Sequence, residues 1–329
     1  MKLTVRAEQF KLYEPFTIAG FAWQTADVCT VELEEDGIIG RGEGAPIFYH
    51  GDDAEKVAGQ IEQCRSNIEK GITREQASDL LPPGAALCAL DCALWDLEAR
   101  KEKSSVHELA GLTPPTELDS AITITLNTMD EMAKRSRRFA DYPLLKVKLG
   151  GTEDEDAIKA VREAAPKARI TVDANTAWSM ETLERMEPVL FDLNVELIEQ
   201  PMPPDRDNEL SDFRSRIPIA ADESCQTEAD VQKLIGKYQT GVIKLDKAGG
   251  LTGAIALMKA LQDADMELMV SCMIGTSLGM APARLIGTYC KTVDLDAPMN
   301  AEEDRNPAIR YEKGRMGQTP SELWGGADS

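Results

Sequence analysis

Three short apolar runs lie at regular intervals in the middle of the chain: LLKVKLG (residues 144–150), RITVDAN (169–175) and VELIEQP (195–201). Each has the length and composition of a β-strand, and helix-length segments such as EDEDAIKAVREAA and METLERMEPVLF lie between them. Strands that alternate with helices in this way are joined by crossover helices and run parallel. The middle of the chain therefore predicts a parallel α/β fold.

The same alternation extends in both directions, and each predicted strand ends near a polar or reactive residue. Consecutive marks are 22 to 28 residues apart, which leaves room for one strand and one helix. Eight such units predict a (β/α)8-type barrel with its active site at the carboxyl ends of the strands. An open doubly wound sheet has similar spacing, but it usually carries a glycine-rich dinucleotide turn, and none is present. The eight marks are Thr123, Lys148, Asp173, Glu199, Asp222, Lys244, Cys272 and Asp294.

The first third of the chain has a different pattern. MKLTVRAEQFKLY and VCTVELEEDGIIGRGEG are predicted strands, with a hairpin turn at Asp36-Gly37. Helices are predicted from about Asp53 to Lys70 and from Gly84 to Lys101. GLTPPTELD (111–119) is a predicted connector, because two prolines and a glycine interrupt both periodicities.

Composition limits the possible partners and the compartment. The 329 residues include 36 basic and 57 acidic side chains, a net charge of −21, which repels nucleic acid and anionic membranes. Solubility or adaptation to salt is the ordinary explanation of such acidity. No apolar run has the length of a membrane span, and the N-terminus lacks the apolar region of a signal peptide. Seven scattered cysteines without a CxxC pair favour a reduced, cytoplasmic protein.

Three carboxylates lie on consecutive strands of the predicted ring: Asp173, Glu199 and Asp222. Such a set suits a hard divalent cation with oxygen ligands, Mg²⁺ by default and Mn²⁺ as the alternative. A single aspartate at a strand end is usually a helix cap or a surface ion pair. Three in a row, each ending an apolar run, favour a metal site.

Lysines flank this predicted metal site. Lys146 and Lys148 are two residues apart and share one face of a strand. Strands two and six of an eight-stranded ring are diametrically opposite, so Lys148 and Lys244 are predicted to face each other across the mouth. Neighbouring ammonium groups and a dication would lower the pKa of the lysines towards that of a general base. The alternative is that these lysines lie on a solvated edge or loop.

Two opposed lysines beside a metal predict a specific reaction. A carboxylate bound to the cation has an acidic α-proton, because the metal stabilises the enediolate that forms. One lysine removes this proton and the other returns it from the opposite face, which inverts the carbon. Lys146 is predicted to help bind the same carboxylate, and the protein is predicted to be a racemase or epimerase.

Asp294 and Asp296 repeat the two-residue spacing on strand eight. If both point inward, they are placed opposite the metal to hold a substrate ammonium group. A dipeptide carries a carboxylate and an amine in this arrangement. The alternative is that one or both merely cap a loop.

These residues resemble the enolase superfamily, muconate lactonizing subgroup, and within it the dipeptide epimerases of the L-Ala-D/L-Glu epimerase type. The resemblance covers essentially the whole chain, including GEGAP and ALDCALWDLEA in the first third. It implies a (β/α)7β TIM-type barrel over residues 113–298. It also implies an α+β capping domain, built from residues 1–112 and from a tail (299–329) that returns to it. The matching segments are LLKVKLG, TVDAN, ELIEQP, ADES, IKLDKAGGL, SCM and DLDAP.

The resemblance also implies roles for individual residues. Lys148 and Lys244 match the acid/base lysines, and Asp173, Glu199 and Asp222 match the Mg²⁺ ligands. A homo-oligomer and a role in cell-wall peptide recycling or dipeptide catabolism are expected by analogy. The positions that match substrate contacts are Lys146, Thr123, Cys272, Ile274, Asp294 and Asp296.

One segment departs from the family pattern. Family members that act on Ala-Glu carry arginine in a flexible loop of the cap, whereas this chain has IAGFAWQTAD (18–27), with Phe21 and Trp23 and no arginine. A hydrophobic or small second residue of the dipeptide is therefore predicted, with Phe21 and Trp23 as contacts. The alternative is that these two aromatic residues only pack within the cap and do not contact the substrate.

Other functions stay open at this point. An N-acylamino acid racemase or an o-succinylbenzoate synthase has the same fold but no use for a paired anionic site on strand eight. A binding barrel without catalysis is the third alternative. Sugar-acid dehydratases of the superfamily are disfavoured, because the only histidines, His50 and His107, precede the barrel.

Overall fold

The N-terminal part of the computed structural model, which describes residues 1–326, is an antiparallel sheet of β1 (Lys2–Ile18), β2 (Phe21–Glu35) and β3 (Ile38–Gly44). The predicted hairpin turn is confirmed, with Asp36 and Gly37 both at positive φ. The segment predicted as a loop at residues 18–27 is instead a second hairpin. Its strands pair as far as Ile18 opposite Phe21, so the aromatic residues lie on a strand and not on a loop.

Five helices follow, and the first four share an apolar core with this sheet. The longest, α4, was predicted over 84–101 and spans Ala85–Glu102. The helix predicted from 53 to 70 is interrupted at Cys64. Strand β3 lies so close to α4 that a Cβ atom on Gly44 would be 2.0 Å from the carbonyl oxygen of Ala85, which explains the glycines of GEG. The helices are α1 (Ala54–Gln63), α2 (Arg65–Ile68), α3 (Arg74–Leu80), α4 (Ala85–Glu102) and α5 (Val106–Leu109).

Eight parallel strands form the second part, in unbroken sequential order. The first and last strands meet, because the amide of Ala121 donates to the carbonyl of Val293 at 2.8 Å. The predicted barrel is therefore confirmed. After a short strand β4 (Leu118–Asp119), the barrel strands are β5 (Ile122–Ile124), β6 (Leu144–Lys148), β7 (Arg169–Asp173), β8 (Val195–Glu199), β9 (Ile219–Ala221), β10 (Thr240–Ile243), β11 (Glu267–Ser271) and β12 (Thr292–Asp294).

Helices connect these strands on the outside of the barrel and enclose the main apolar core between helix and strand. The connection from β8 to β9 holds a 3₁₀ turn (Asp207–Asp212), and β12 is followed by another (Ala297–Asn300) instead of an eighth helix. This matches the (β/α)7β form. The helices are α6 (Met129–Arg138), α7 (Asp154–Ala164), α8 (Met180–Asp192), α9 (Val231–Leu234), α10 (Leu245–Ala248), α11 (Leu251–Asp263) and α12 (Ser277–Gly287).

The C-terminal tail returns to the first part, as predicted. After β13 (Tyr311–Glu312) and β14 (Arg315–Met316), the indole of Trp324 donates to the carbonyl of Cys92 on α4 at 3.0 Å. Residues 327–329 of the predicted tail lie outside the described residues. The boundaries at 112 and 298 stay predictions.

Within residues 1–326, no helix combines the length and apolar content needed to cross a bilayer. All seven cysteines are free thiols.

Candidate active site

A cavity of about 280 Å³ lies between the cap sheet and the carboxyl ends of the barrel strands. The barrel contributes its polar floor, and β1, β2 and the segment after β3 contribute a wall that includes Phe16, Trp23 and Phe48. Nine predicted site residues line this cavity: Lys148, Lys244, Lys146, Thr123, Cys272, Ile274, Asp294, Asp296 and Trp23.

The other predicted site residues lie elsewhere. Asp173, Glu199 and Asp222 are at most 1% exposed and lie beneath the floor, at the ends of β7, β8 and β9. Phe21 is 47% exposed and is not part of the cavity lining. It stacks on Trp23, with ring centroids 5.8 Å apart, at the outer edge of the cap.

Lys146 lies at the centre of the floor, with its side chain 2% exposed. Its Nζ is 2.8 Å from Asp294 and 3.2 Å from Asp173. It also contacts both oxygens of Glu199, at 2.9 Å from Oε1 and 2.8 Å from Oε2, but only the contact to Oε1 has hydrogen-bond geometry. The ammonium group of Lys146 thus joins carboxylates from β7, β8 and β12 across the barrel.

Lys148 and Lys244 approach the cavity from opposite sides, because β6 and β10 are the second and sixth of eight strands. Lys148 Nζ donates to Asp173 at 2.6 Å and to the side-chain oxygen of Asn175 at 3.1 Å. Lys244 Nζ donates to Asp222 at 2.7 Å. Both lysines are less than 10% exposed, which rules out the solvated-edge alternative for them.

Lys247 is a further buried lysine that the sequence reasoning missed. Its Nζ donates to the carbonyl and the Oδ1 of Asp222, each at 2.6 Å, and to the carbonyl of Val242 at 3.2 Å. Gln200 holds the same loop from the other side, because its Oε1 accepts the amide of Asp222 at 2.8 Å. The signal for Lys247 was its position three residues after Lys244, one helical turn onward.

The pKa values of Lys146 and Lys244 shift opposite to the expected direction. Burial acts to lower the pKa of Lys146, but Asp294 and Glu199 outweigh it and raise that pKa well above its usual value. Burial likewise acts to lower the pKa of Lys244, and Asp222 reverses the effect. The physical reason is that each ammonium contacts a carboxylate directly, whereas the prediction considered only neighbouring cations.

Several carboxyl groups of the floor are short of cationic partners. Burial, and after it the negative charge of Asp173, raises the pKa of Glu199 to about 8. Burial, and after it the negative charge of Asp222, raises the pKa of Glu223 to about 7. By contrast, Lys148 and Lys146 overcome the effect of burial and lower the pKa of Asp173 to about 2. Negative charge is therefore in excess around Glu199.

The floor fits a divalent cation by charge and by donor type. Oε2 of Glu199 is buried and has no hydrogen-bond partner in the described part of the chain, and carboxylate oxygens are the ligands that hard cations take. Six carboxyl groups stand against four ammonium groups in this cluster, an excess of two negative charges that a dication would balance. The two sets are Asp173, Glu199, Asp222, Glu223, Asp294 and Asp296, and Lys146, Lys148, Lys244 and Lys247.

The predicted convergence of the three ligands is only partly seen. Asp173 and Glu199 share Lys146, whereas Asp222 pairs with Lys244 and Lys247. Within residues 1–326, no three carboxylate, histidine or cysteine side chains form a ready metal-ligand cluster. The lysine contacts explain this, because each draws a carboxylate towards its own ammonium group.

Asp294 and Asp296 both line the cavity and are at most 5% exposed. Oδ2 of Asp294 accepts hydrogen bonds from Lys146 and from Ser271, each at 2.8 Å, while its Oδ1 is buried and has no partner among the residues that the structure describes. Oδ2 of Asp296 accepts the amide of Thr123 at 2.7 Å. The Asp296 side chain therefore contacts β5 and makes no cap hydrogen bond to its own turn, and Asp294 keeps one oxygen for a ligand.

Fold and site together define a capped-barrel enzyme with an acidic floor and opposed lysines. Residues 1–111 match the family described as mandelate racemase/muconate lactonizing enzyme, N-terminal domain, and residues 128–317 match the family described as enolase C-terminal domain-like. The chain belongs to this family, the enolase superfamily of mandelate racemase and muconate lactonizing enzymes, so the resemblance is confirmed.

Individual relatives are similar over nearly their whole length. The L-Ala-D/L-Glu epimerase of Escherichia coli K12 is 40% identical, over 94% of this chain and 97% of the relative. An N-acetyl-D-glutamate racemase of a Pseudoalteromonas species is 38% identical, over 90% and 95%. The solved structure of an Agrobacterium tumefaciens enolase family member with homology to dipeptide epimerases, with bound sodium and L-Ala-L-Glu, has a TM-score of 0.96 and 38% identity. It covers 98% of this chain and 99% of that chain.

Proposed function

We propose that the protein is a Mg²⁺-dependent dipeptide epimerase, an isomerase that inverts the α-carbon of the C-terminal residue of a dipeptide. The observation that carries this proposal is the pair Lys148 and Lys244, which reach one cavity from the second and sixth strands of the ring. The epimerase of Escherichia coli and the dipeptide bound in the Agrobacterium tumefaciens structure support it.

The lysines exchange one proton with the substrate. In one direction Lys148 accepts the α-proton and Lys244 delivers a proton to the opposite face of the same carbon, and the reverse reaction exchanges these roles. Lys148 gains an N–H bond and Lys244 loses one, while in the substrate only the α C–H bond breaks and re-forms, so the net change in the substrate is inversion. Mg²⁺, when held by Asp173, Glu199 and Asp222, supplies the positive charge that makes the α-proton of a bound carboxylate acidic.

The remaining polar groups of the floor position the substrate. Lys146 lies at the centre of the floor, where it can contact the substrate carboxylate that Mg²⁺ binds. The unpaired Oδ1 of Asp294 is available to the α-ammonium group, with Asp296 beside it. Thr123, Cys272 and Ile274 also line the cavity. A homo-oligomer and a cytoplasmic location stay predictions.

A second candidate is an N-acylamino acid racemase, which the Pseudoalteromonas relative favours. Its substrate has no free α-amine, so the buried oxygen of Asp294 would stay unpaired, which is unfavourable in a buried site. The structure therefore supports the dipeptide substrate better. An o-succinylbenzoate synthase shares this disadvantage.

Deuterium incorporation distinguishes these functions. The purified protein is incubated in D₂O with Mg²⁺ and a library of L-L dipeptides, and in parallel with N-acetyl amino acids, and mass spectrometry measures a gain of one dalton. An epimerase labels dipeptides, and excess EDTA stops the labelling. Labelling of N-acetyl amino acids alone would support the second candidate. Labelling of neither would contradict both and leave a binding barrel without catalysis.

A further inference from the structure

The cap side of the cavity has an aromatic part and an acidic part. Trp23, Thr25 and Asp27 are alternate residues of β2, and all three line the cavity. Phe48 packs edge-on against Trp23, with ring centroids 5.1 Å apart, and Phe16 from β1 completes the aromatic surface. A substrate side chain that points towards the cap can therefore contact both these aromatic rings and Asp27.

Asp27 has an unsatisfied carboxylate oxygen. Its Oδ1 is buried and has no hydrogen-bond partner among residues 1–326. Leaving such an atom unpaired is unfavourable, and a ligand that brings an N–H donor to it would remove the cost. Asp52 and Asp53 line the same cavity and add negative charge on the cap side.

No positively charged side chain of the described lining is free to pair with these carboxylates. The lining contains no arginine and no histidine, and its three lysines are Lys146, Lys148 and Lys244. Each of these already contacts a carboxylate of the floor at 2.6 to 2.8 Å. The cap side is thus electrically negative on its own.

This arrangement selects among dipeptide side chains. An acidic side chain would meet like charge and find no partner, and a purely apolar one would cover the aromatic rings but leave Asp27 unpaired. A basic side chain satisfies both, because its aliphatic stem packs on the rings while its charged end reaches a carboxylate. We infer that the substrate is a dipeptide with a lysine or arginine side chain, recognised by Asp27. This inference rests on the proposed function and replaces the hydrophobic or small side chain predicted from the sequence.

The test compares dipeptides that differ in one side chain. The kcat/KM for epimerisation, followed by deuterium incorporation with Mg²⁺, is measured for L-Ala-L-Lys, L-Lys-L-Ala, L-Ala-L-Met, L-Met-L-Ala and L-Ala-L-Glu. The wild-type enzyme is expected to favour a lysine dipeptide over its methionine counterpart, which has a stem of similar length. The variant Asp27→Asn should lose about 10- to 100-fold on that lysine dipeptide, the range of a charge-assisted hydrogen bond, and less than 3-fold on the methionine one.

Control variants separate this role from a structural one. Asp27→Glu should restore most of the preference, since it keeps the charge. Asp79→Asn is the matched control, because Asp79 is an exposed aspartate of the cap that lies outside the described cavity lining, and it should lose less than 3-fold. Far-ultraviolet circular dichroism of each variant checks that the fold is intact.

Each other outcome overturns the inference in a distinguishable way. An equal loss by Asp27→Asn on all dipeptides would mean that Asp27 holds the shared α-ammonium group. A wild-type preference for L-Ala-L-Glu, or for L-Ala-L-Met with no effect of the variant, would refute the basic side chain but leave the epimerase. Absence of labelling with any dipeptide would instead refute the proposed function.

Discussion

Replacing Lys247 by methionine tests whether a buried lysine holds the end of β9 in place. The Lys247 side chain is fully buried, and its partner Asp222 is 1% exposed. Methionine keeps most of the apolar stem and removes only the ammonium group. The substitution therefore removes the contacts at 2.6 Å to the carbonyl and Oδ1 of Asp222, together with the longer one to Val242.

The size of the effect follows from burial. Breaking a buried ion pair by removing one partner costs about 3–5 kcal/mol, because the other charge stays buried. Asp222 keeps Lys244 as a partner at 2.7 Å, so we expect the lower end, about 3 kcal/mol. At about 2 cal/mol/K of unfolding entropy per residue, this corresponds to a loss of about 4 °C in Tm.

Urea unfolding of the Mg²⁺-free protein at pH 7, followed by tryptophan fluorescence, measures the free energy of unfolding. Lys291→Met is the control, since Lys291 pairs with Glu267 at 2.7 Å but both side chains are more than 40% exposed. The control should lose less than about 1 kcal/mol. If Lys247→Met loses no more than the control, Lys247 does not stabilise this strand end.

Three further predictions concern catalysis, packing and pH. Lys148→Ala should lower deuterium incorporation and inversion by about 10²- to 10⁴-fold while calorimetry still detects Mg²⁺ binding; a wild-type rate would remove Lys148 from the reaction. Gly44→Ala places a Cβ 2.0 Å from the carbonyl oxygen of Ala85, so we expect about 1–3 kcal/mol or more of destabilisation in urea, and an unchanged midpoint would contradict the close packing. Asp91 accepts from the amide of Thr252 at 3.0 Å, and burial raises its pKa from 3.8 to about 6. Between these values the folded protein holds a proton that the unfolded chain has released, so the contribution of Asp91 to stability falls as the pH rises from about 4 to about 6. The stability of wild type relative to Asp91→Asn, measured in urea across this range, should fall accordingly, and a constant difference would contradict the raised pKa.

Much of the architecture was predictable from the sequence because periodicity depends only on local geometry. Strand–helix units of 22 to 28 residues imply a ring of parallel strands, and the ring places Lys148 and Lys244 on opposite sides. The hairpin at residues 18–27 was not predicted, because its strands carry few β-branched residues and are defined by pairing across the turn.

The side chains of the candidate site also separate what the sequence determines from what the tertiary structure decides. The sequence alone determined which residue types end each strand, and hence which strands supply the floor of the cavity. Only the tertiary structure decided that Lys247 shares Asp222 with Lys244, that carboxylates raise the pKa of Lys146, and that one oxygen of Asp27 has no hydrogen-bond partner within residues 1–326. The physical reason is that strand order follows from spacing along the chain, whereas burial and charge pairing depend on which side chains from distant segments meet within a few ångströms.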